Sequence, residues 1–148
     1  MMTRRKAAVA ILLLASLFAC RRHDTLYDRL GGDVGISLLV QDFLDRFIKD
    51  PRLENPQVKK RHEAAHYPAL KEHWIRFFTK ATGGPDRYEG RSLRLAHAGL
   101  GITGKEFEIM IQILAESLAQ SNIPKDAQQD LLRLIRSYRS EVVEKPLQ

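Results

Sequence analysis

Apolar residues recur at helical spacing in four stretches of the chain, separated by glycine, proline and charged residues. Within each stretch they fall three or four positions apart, which places them on one face of an α-helix. The four stripes are Ile36, Val40, Phe43, Leu44 and Phe47; Leu70, Trp74, Phe77, Phe78 and Ala81; Phe107, Met110, Ile111, Leu114 and Leu118; and Leu131, Leu134, Ile135, Tyr138 and Val142. No stretch alternates apolar and polar residues as a strand does. The pattern predicts an all-α fold with four long helices and two short ones, the last long helix running unbroken along its stripe.

Helix start and stop signals flank the stripes. Asp33 is a candidate N-cap for the first long helix, and Pro68 suits the first turn of the second. Thr103 and Glu106 have the spacing of a capping box at the start of the third. Gly83 and the Gly-Pro pair after it end the second helix, because glycine accepts a positive φ and proline cannot continue the hydrogen-bond ladder. The signals therefore isolate a short segment between the second and third long helices.

The N-terminus has the pattern of an export signal. A basic start precedes an apolar run over residues 7–19, which is too short to cross a bilayer as an ordinary helix. The run ends in Leu-Phe-Ala-Cys, which resembles the lipobox of bacterial lipoproteins, in which the cysteine, here Cys20, is acylated and becomes the mature amino terminus. An uncleaved signal anchor is the alternative. We predict a signal peptide at 1–19, a tether at 20–25 and one domain at 26–145, anchored by lipid to a membrane of the cell envelope on its exported side, periplasmic in a Gram-negative cell.

Charge and cysteine content narrow the classes of partner. The 148-residue chain carries a formal net charge of +6, of which three charges come from Arg4, Arg5 and Lys6 in the signal. The remaining basic residues are scattered and form no patch in which basic and aromatic residues are interleaved, which argues against a nucleic-acid partner. The chain has a single cysteine, so it has no internal disulfide and no Cys-x-x-Cys motif.

One short motif has the spacing of a zinc hydrolase site, His62-Glu63-Ala64-Ala65-His66. Two imidazoles one helical turn apart can share a zinc ion, and the glutamate between them can activate its water. Against this, residues 59–61 are all basic and would repel a dication, and Pro68 breaks the helix that the motif needs. We keep a zinc hydrolase as the weakest of three hypotheses.

The segment between the second and third long helices carries His97 between two glycine-rich breaks. A short helix pinned at both ends can hold one imidazole in a fixed direction, and histidine is the commonest metal ligand in proteins. The plain alternative is a half-buried structural histidine. The residues that flank His97 help to decide between a metal ligand and a structural histidine. They are Gly83-Gly84-Pro85, Tyr88, Gly90-Arg91, and Ala98-Gly99-Leu100-Gly101-Ile102-Thr103.

This run resembles the proximal-histidine segment of bacterial truncated haemoglobins, the group 1 members above all. The resemblance covers about residues 25–143 and includes Leu26-Tyr27-Asp28-Arg29-Leu30-Gly31-Gly32, Asp42-Phe43 and Asp50-Pro51-Arg52-Leu53. It implies a two-over-two helical sandwich around non-covalent haem b, with Nε2 of His97 on the iron and the opposite face open to a diatomic gas. The residues that it implies against the haem or on its distal side are Phe43, Leu44, Leu70, Trp74, Phe77, Phe78, Tyr88, Leu93, Ile102, Phe107, Met110 and Leu114.

Two departures from the family pattern concern the distal side. The family usually has a tyrosine that donates to bound dioxygen where this chain has Leu44, and a haem-wedging phenylalanine where ungapped counting reaches Gln57. A hydrogen bond to a partly charged acceptor contributes ~1.5–3 kcal/mol, so its loss predicts roughly ten- to a hundredfold weaker dioxygen binding. The candidate replacement donors are Trp74, His73, His66 or none, and either histidine is also a candidate sixth iron ligand.

The leading hypothesis is thus a lipid-tethered haem protein that binds dioxygen, nitric oxide or carbon monoxide. Whether it is an enzyme stays open, because turnover of nitric oxide with dioxygen needs an electron donor and the chain has no flavin or nicotinamide motif. The second hypothesis is a helical envelope lipoprotein without haem that acts as a binding module, and Leu44 and Gln57 motivate it.

Overall fold

The computed structural model describes residues 24–61, 66–85 and 87–144, and every regular element in these ranges is helical. The helices are α1 (Leu26–Arg29), α2 (Gly32–Lys49), α3 (Pro56–Arg61), α4 (Tyr67–Ala81), α5 (Leu93–His97), α6 (Gly104–Gln120), α7 (Lys125–Ser137) and α8 (Arg139–Val142). The all-α prediction is confirmed. None of the helices in the described part of the chain is long and apolar enough to span a membrane. The predicted signal and Cys20 lie outside the described residues.

The four long helices pack as two pairs around one core. Helix α2 packs on α4 and on α6, and α6 in turn packs on α7. The apolar stripes of α2 and α6 are almost fully buried because each of these helices has long neighbours on two sides. The side chains that are both large and fully buried include Phe43, Leu44, Ile36, Phe78, Phe107, Ile111, Ile113, Leu114, Leu118 and Leu131.

Some helix boundaries differ from those predicted. Helix α2 begins at Gly32 after Gly31, which takes the left-handed φ of 90° and provides no side-chain cap. Asp33 therefore lies inside the first turn, and its carboxylate is 3.6 Å from the guanidinium of Arg87. The prediction that Asp33 is the N-cap was wrong, because the Gly-Gly pair lets the helix start two residues earlier.

The last apolar stripe is divided between two helices. Helix α7 ends at Ser137, Tyr138 has φ −82° and ψ 0°, and α8 begins at Arg139. The Tyr138 ring packs edge-on against Phe77, with 5.5 Å between ring centroids. The break turns α8 towards α5, so the prediction of one unbroken helix was wrong for the end of the stripe.

More short helices occur in the described ranges than the two predicted. Helix α3 follows Asn55, whose side-chain oxygen accepts from the backbone N–H of Gln57 at 3.0 Å and of Val58 at 3.3 Å. The Asn-Pro pair at 55–56 is a typical turn signal, and here the turn begins a helix. Asn55 also donates from its side chain to the carbonyl of Leu100 at 2.9 Å, which ties the start of α3 to the loop after His97.

Gly35 is a position where even a methyl group should destabilise the fold. A Cβ at this position would overlap the carbonyl oxygen of Leu30, where the chain turns from α1 into α2. We expect Gly35→Ala to lower the free energy of unfolding by about 3 kcal/mol, because a backbone atom cannot move aside cheaply. Chemical denaturation of the two proteins measures the difference.

The matched control is Gly104→Ala, which adds the same methyl group in the first turn of α6. There the overlapping atom is the far end of the Arg139 side chain, which can swing away. We expect this variant to change the free energy of unfolding by under about 1 kcal/mol. Equal losses in both variants would contradict the role given to the Leu30 carbonyl.

Candidate functional site

Helix α5 is short and is fixed at both ends. The Ser92 side chain accepts from the backbone N–H of Leu95 at 3.4 Å and caps its start. Past its end, Gly99 and Gly101 take left-handed φ values of 76° and 63°. The Arg61 guanidinium donates to the carbonyl of Ala96 at 2.7 Å. The predicted short helix is confirmed, and contacts from outside the segment hold it in place.

The imidazole of His97 is held in one tautomer. Its Nδ1 lies 2.7 Å from the carbonyl oxygen of Leu93, and because a carbonyl can only accept, Nδ1 carries the proton and donates. Nε2 then keeps its lone pair, and no hydrogen-bond partner for it lies among the described residues. Burial lowers the pKa of His97 from its ordinary value, and the Leu93 hydrogen bond opposes this only in part. A neutral imidazole with its second nitrogen hydrogen-bonded to a carbonyl is the usual form of a metal-ligating histidine.

His97 lies in the wall of an open, mostly apolar cavity of about 180 Å³, larger than the roughly 150 Å³ that accommodates a benzene ring. Helices α4, α5 and α6 contribute to the wall, as do the loops on either side of α5. Of the residues predicted to be at the site, those in the wall are Leu70, Trp74, Phe77, Tyr88, Leu93, His97, Ile102, Phe107 and Met110.

Four predicted residues are not among those that line this cavity: Phe43, Leu44, Phe78 and Leu114. All four are completely buried in the core behind the wall. The Phe43 and Phe78 rings lie 5.1 Å and 5.6 Å from the ring of Trp74, so they support a side chain that does face the cavity. Side chains at neighbouring positions of one apolar stripe point in somewhat different directions around the helix axis. Some of them therefore face the cavity, and others face the core.

Other wall residues were not predicted as site residues: Phe47, Leu53, Val58, Arg61, His73, Ala96, Leu100, Glu106, Ile135, Tyr138 and Val142. Phe47, Ile135, Tyr138 and Val142 belong to apolar stripes that were assigned to core packing. His73 and Glu106 lie on the long helices α4 and α6, beside the apolar stripes of those helices. The other residues reach the cavity from loops and short helices, where sequence spacing carries no periodic signal. His73 alone had been singled out, as a distal donor or sixth ligand.

Polar groups in the wall are few, and most are already engaged. The Tyr88 hydroxyl lies 2.8 Å from Nε2 of His73 and donates to the Arg91 carbonyl at 2.8 Å. Burial lowers the pKa of His73, so this imidazole also favours its neutral form. The Glu106 carboxylate closes the capping box with Thr103, which confirms that predicted motif. The indole N–H of Trp74 has no partner within the described ranges.

The zinc motif gains no support from the described residues. Residues 62–65 lie outside them, and His66 is exposed on a neighbouring groove with Lys60 and Arg61 and does not line the cavity beside His97. In the described ranges no three histidine, cysteine, aspartate or glutamate side chains come together as metal ligands would.

Comparison with known proteins identifies the family. The family model described as bacterial-like globin matches residues 25–144. The chain is 33% identical over 108 residues to the group 1 truncated haemoglobin GlbN of Synechocystis sp., which covers 69% of this chain and 82% of that protein. It is 28% identical over 118 residues to GlbN of Mycolicibacterium paratuberculosis, with 80% and 83% covered.

Solved structures agree on the fold. The truncated haemoglobin of Tetrahymena pyriformis in its Fe(III) form matches with a TM-score of 0.73 at 23% identity, covering 82% of this chain and 99% of that one. The 2/2 haemoglobin of Synechococcus sp., solved in the cyanomet state with covalently attached haem, matches with a TM-score of 0.71 at 27% identity over 82% and 99%. The chain therefore belongs to the bacterial-like globin family and is a group 1 truncated haemoglobin with the two-over-two helical fold.

Proposed function

We propose that the chain binds haem b non-covalently in the cavity beside α5, with Nε2 of His97 as the protein ligand of the iron. The observation that carries the proposal is the His97 imidazole, whose Nδ1–H is fixed by the Leu93 carbonyl while Nε2 keeps a free lone pair at an apolar cavity. The names of the relatives, all haemoglobins, support the same ligand class.

The wall residues suit a flat, largely apolar ring that carries two carboxylates. Phe77, Trp74 and Tyr88 supply aromatic surface, and Phe77 lies 5.8 Å from Tyr88 between ring centroids. The guanidinium of Arg61, at the edge of the cavity, would pair with a haem carboxylate. When bound, the haem would supply an iron atom that can bind a diatomic gas. The chain's own contribution would be a mostly apolar wall around the haem and one imidazole oriented by the Leu93 carbonyl.

The gas that we propose is dioxygen, nitric oxide or carbon monoxide. Conversion of nitric oxide by bound dioxygen would require electrons from a donor that the chain itself does not contain. We propose gas binding as the primary function, with any redox turnover dependent on that unidentified partner. We also retain the proposal that the domain is exported and anchored to the cell envelope through lipidated Cys20.

Titration of the purified full chain with hemin tests the function. We expect a sharp Soret band that saturates at one haem per chain. If no band develops, the proposed function fails in favour of the helical lipoprotein without haem. If one equivalent of zinc is retained and is lost in His62→Ala, the zinc hydrolase replaces it.

A further inference from the structure

Glu144 lies two residues after the end of α8 and holds the loop that comes after His97. Its carboxylate accepts from the backbone N–H of Gly99 at 2.7 Å and of Gly101 at 2.6 Å. Its own backbone N–H donates to the carbonyl of Ile102 at 2.9 Å. Glu144 thus makes three hydrogen bonds to the loop of six residues, 98–103, that joins α5 to α6.

The loop needs an external support of this kind. Gly99 and Gly101 both have left-handed φ values and carry no side chains that could pack. Hydrogen bonds to an ionised acceptor are about twice as strong as neutral ones, so a carboxylate that bridges the Gly99 and Gly101 amides stiffens the loop at the two residues that have no side chain to pack. Because the loop joins His97 to Ile102, which both line the cavity, a displacement of the loop would move both wall residues.

The same contact ties two walls of the cavity together. Tyr138 and Val142, which precede Glu144 in the chain, line the cavity. His97, which precedes the loop that Glu144 contacts, lines it as well. On its other side the α5 segment is held independently, by Asn55 through the Leu100 carbonyl and by Arg61 through the Ala96 carbonyl. Loss of the Glu144 carboxylate therefore frees one side of the loop and leaves the other side attached.

We propose that Glu144 is a positioning residue for His97 and that its carboxylate latches the C-terminal end of the fold to the loop behind the imidazole. This inference rests on the proposed haem-binding function and deepens it. The latch sets the direction of the imidazole and slows the escape of haem past α8. Glu144 itself contacts the loop backbone and acts on the site only through it.

The test compares Glu144→Ala with the wild type and with two further variants, all as full chains. Glu144→Gln keeps one acceptor oxygen for one of the two amides. Glu141→Ala removes a carboxylate from α8 that makes no hydrogen bond with the described residues. The first readout is amide hydrogen exchange at Gly99 and Gly101 without haem. The second is the rate at which the hemin-loaded protein loses hemin to excess apomyoglobin.

In Glu144→Ala we expect the amide hydrogens of Gly99 and Gly101 to exchange roughly tenfold faster than in the wild type, and hemin loss to be roughly tenfold faster as well. This is the size of effect that one charged hydrogen bond gives. Glu144→Gln should fall between them, and Glu141→Ala should match the wild type. Thermal unfolding without haem checks that each variant is folded.

The outcomes separate this inference from the function on which it rests. Hemin loss at the wild-type rate from Glu144→Ala would overturn the positioning role even if amide exchange is faster. Unchanged exchange at Gly99 and Gly101 would overturn the latch itself. A wild-type chain that takes up no hemin would overturn the proposed function and this inference with it, whereas the first two results leave the proposed function standing.

Discussion

Replacement of His97 by alanine is expected to abolish the Soret band that the full chain develops with hemin. The Nδ1–H of this imidazole is fixed in direction by the Leu93 carbonyl, and its Nε2 keeps a lone pair with no hydrogen-bond partner among the described residues. Removal of an outer partner of a metal ligand already costs about ten- to a hundredfold in metal affinity. We therefore expect removal of the ligand itself to lower hemin affinity by more than about a hundredfold, as measured by titration at the Soret maximum.

Two further variants make this result specific. His66→Ala removes an exposed imidazole that does not line the cavity, and it should bind hemin as the wild type does. His97→Gly leaves a hole of imidazole shape, and added imidazole should restore the Soret band. Hemin binding by His97→Ala with wild-type affinity would refute the assignment of His97, because apolar packing alone would then account for uptake.

The parts of the fold that follow from local rules were predictable from the sequence. The Thr103–Glu106 capping box and the helix carrying the Phe107 stripe need only contacts between near neighbours in the chain. The same is true of the isolated α5 segment, because glycines on either side of it stop helices whatever lies around them. His97 was therefore predicted in its correct local setting, between two breaks on a short helix.

The cavity wall depends on contacts between distant parts of the chain, which local rules do not describe. Tyr138 lies at the break between α7 and α8, and its ring packs on Phe77, which is far away in the sequence. An apolar stripe gives the buried face of a helix, but not which positions on that face meet a neighbour and which meet an opening. Phe78 and Phe77 illustrate this, since the first lies wholly in the core and the second lines the cavity.

The distal side shows how the structure changes an expectation drawn from one substitution. Leu44 predicted a site without a hydrogen-bond donor, yet Leu44 is completely buried and is not among the residues that line the cavity. The polar wall groups Tyr88 and His73 lie within hydrogen-bond distance of each other. The indole of Trp74 lies between Phe43 and Phe78, lines the cavity, and has an N–H without a partner among the described residues. These contacts make Trp74 the strongest candidate for a donor to a bound gas.

We therefore expect Trp74→Phe to release dioxygen from the ferrous protein at least roughly tenfold faster than the wild type. The substitution keeps an aromatic ring against Phe43 and Phe78 and removes only the indole N–H and ring area. A hydrogen bond to a partly charged acceptor contributes ~1.5–3 kcal/mol, which corresponds to about ten- to a hundredfold in the equilibrium. Bound carbon monoxide carries less charge than bound dioxygen, so its dissociation rate should change less. Stopped-flow displacement measures both rates.

Tyr138→Phe is the control, because it removes a hydroxyl from another part of the same wall and keeps the ring that packs on Phe77. It should leave the ratio of dioxygen to carbon monoxide dissociation rates unchanged. If Trp74→Phe also leaves that ratio unchanged, the indole is not the donor. Fast dioxygen release in both the wild type and Trp74→Phe would then show that the indole has not replaced the hydroxyl that the family usually has at the position of Leu44.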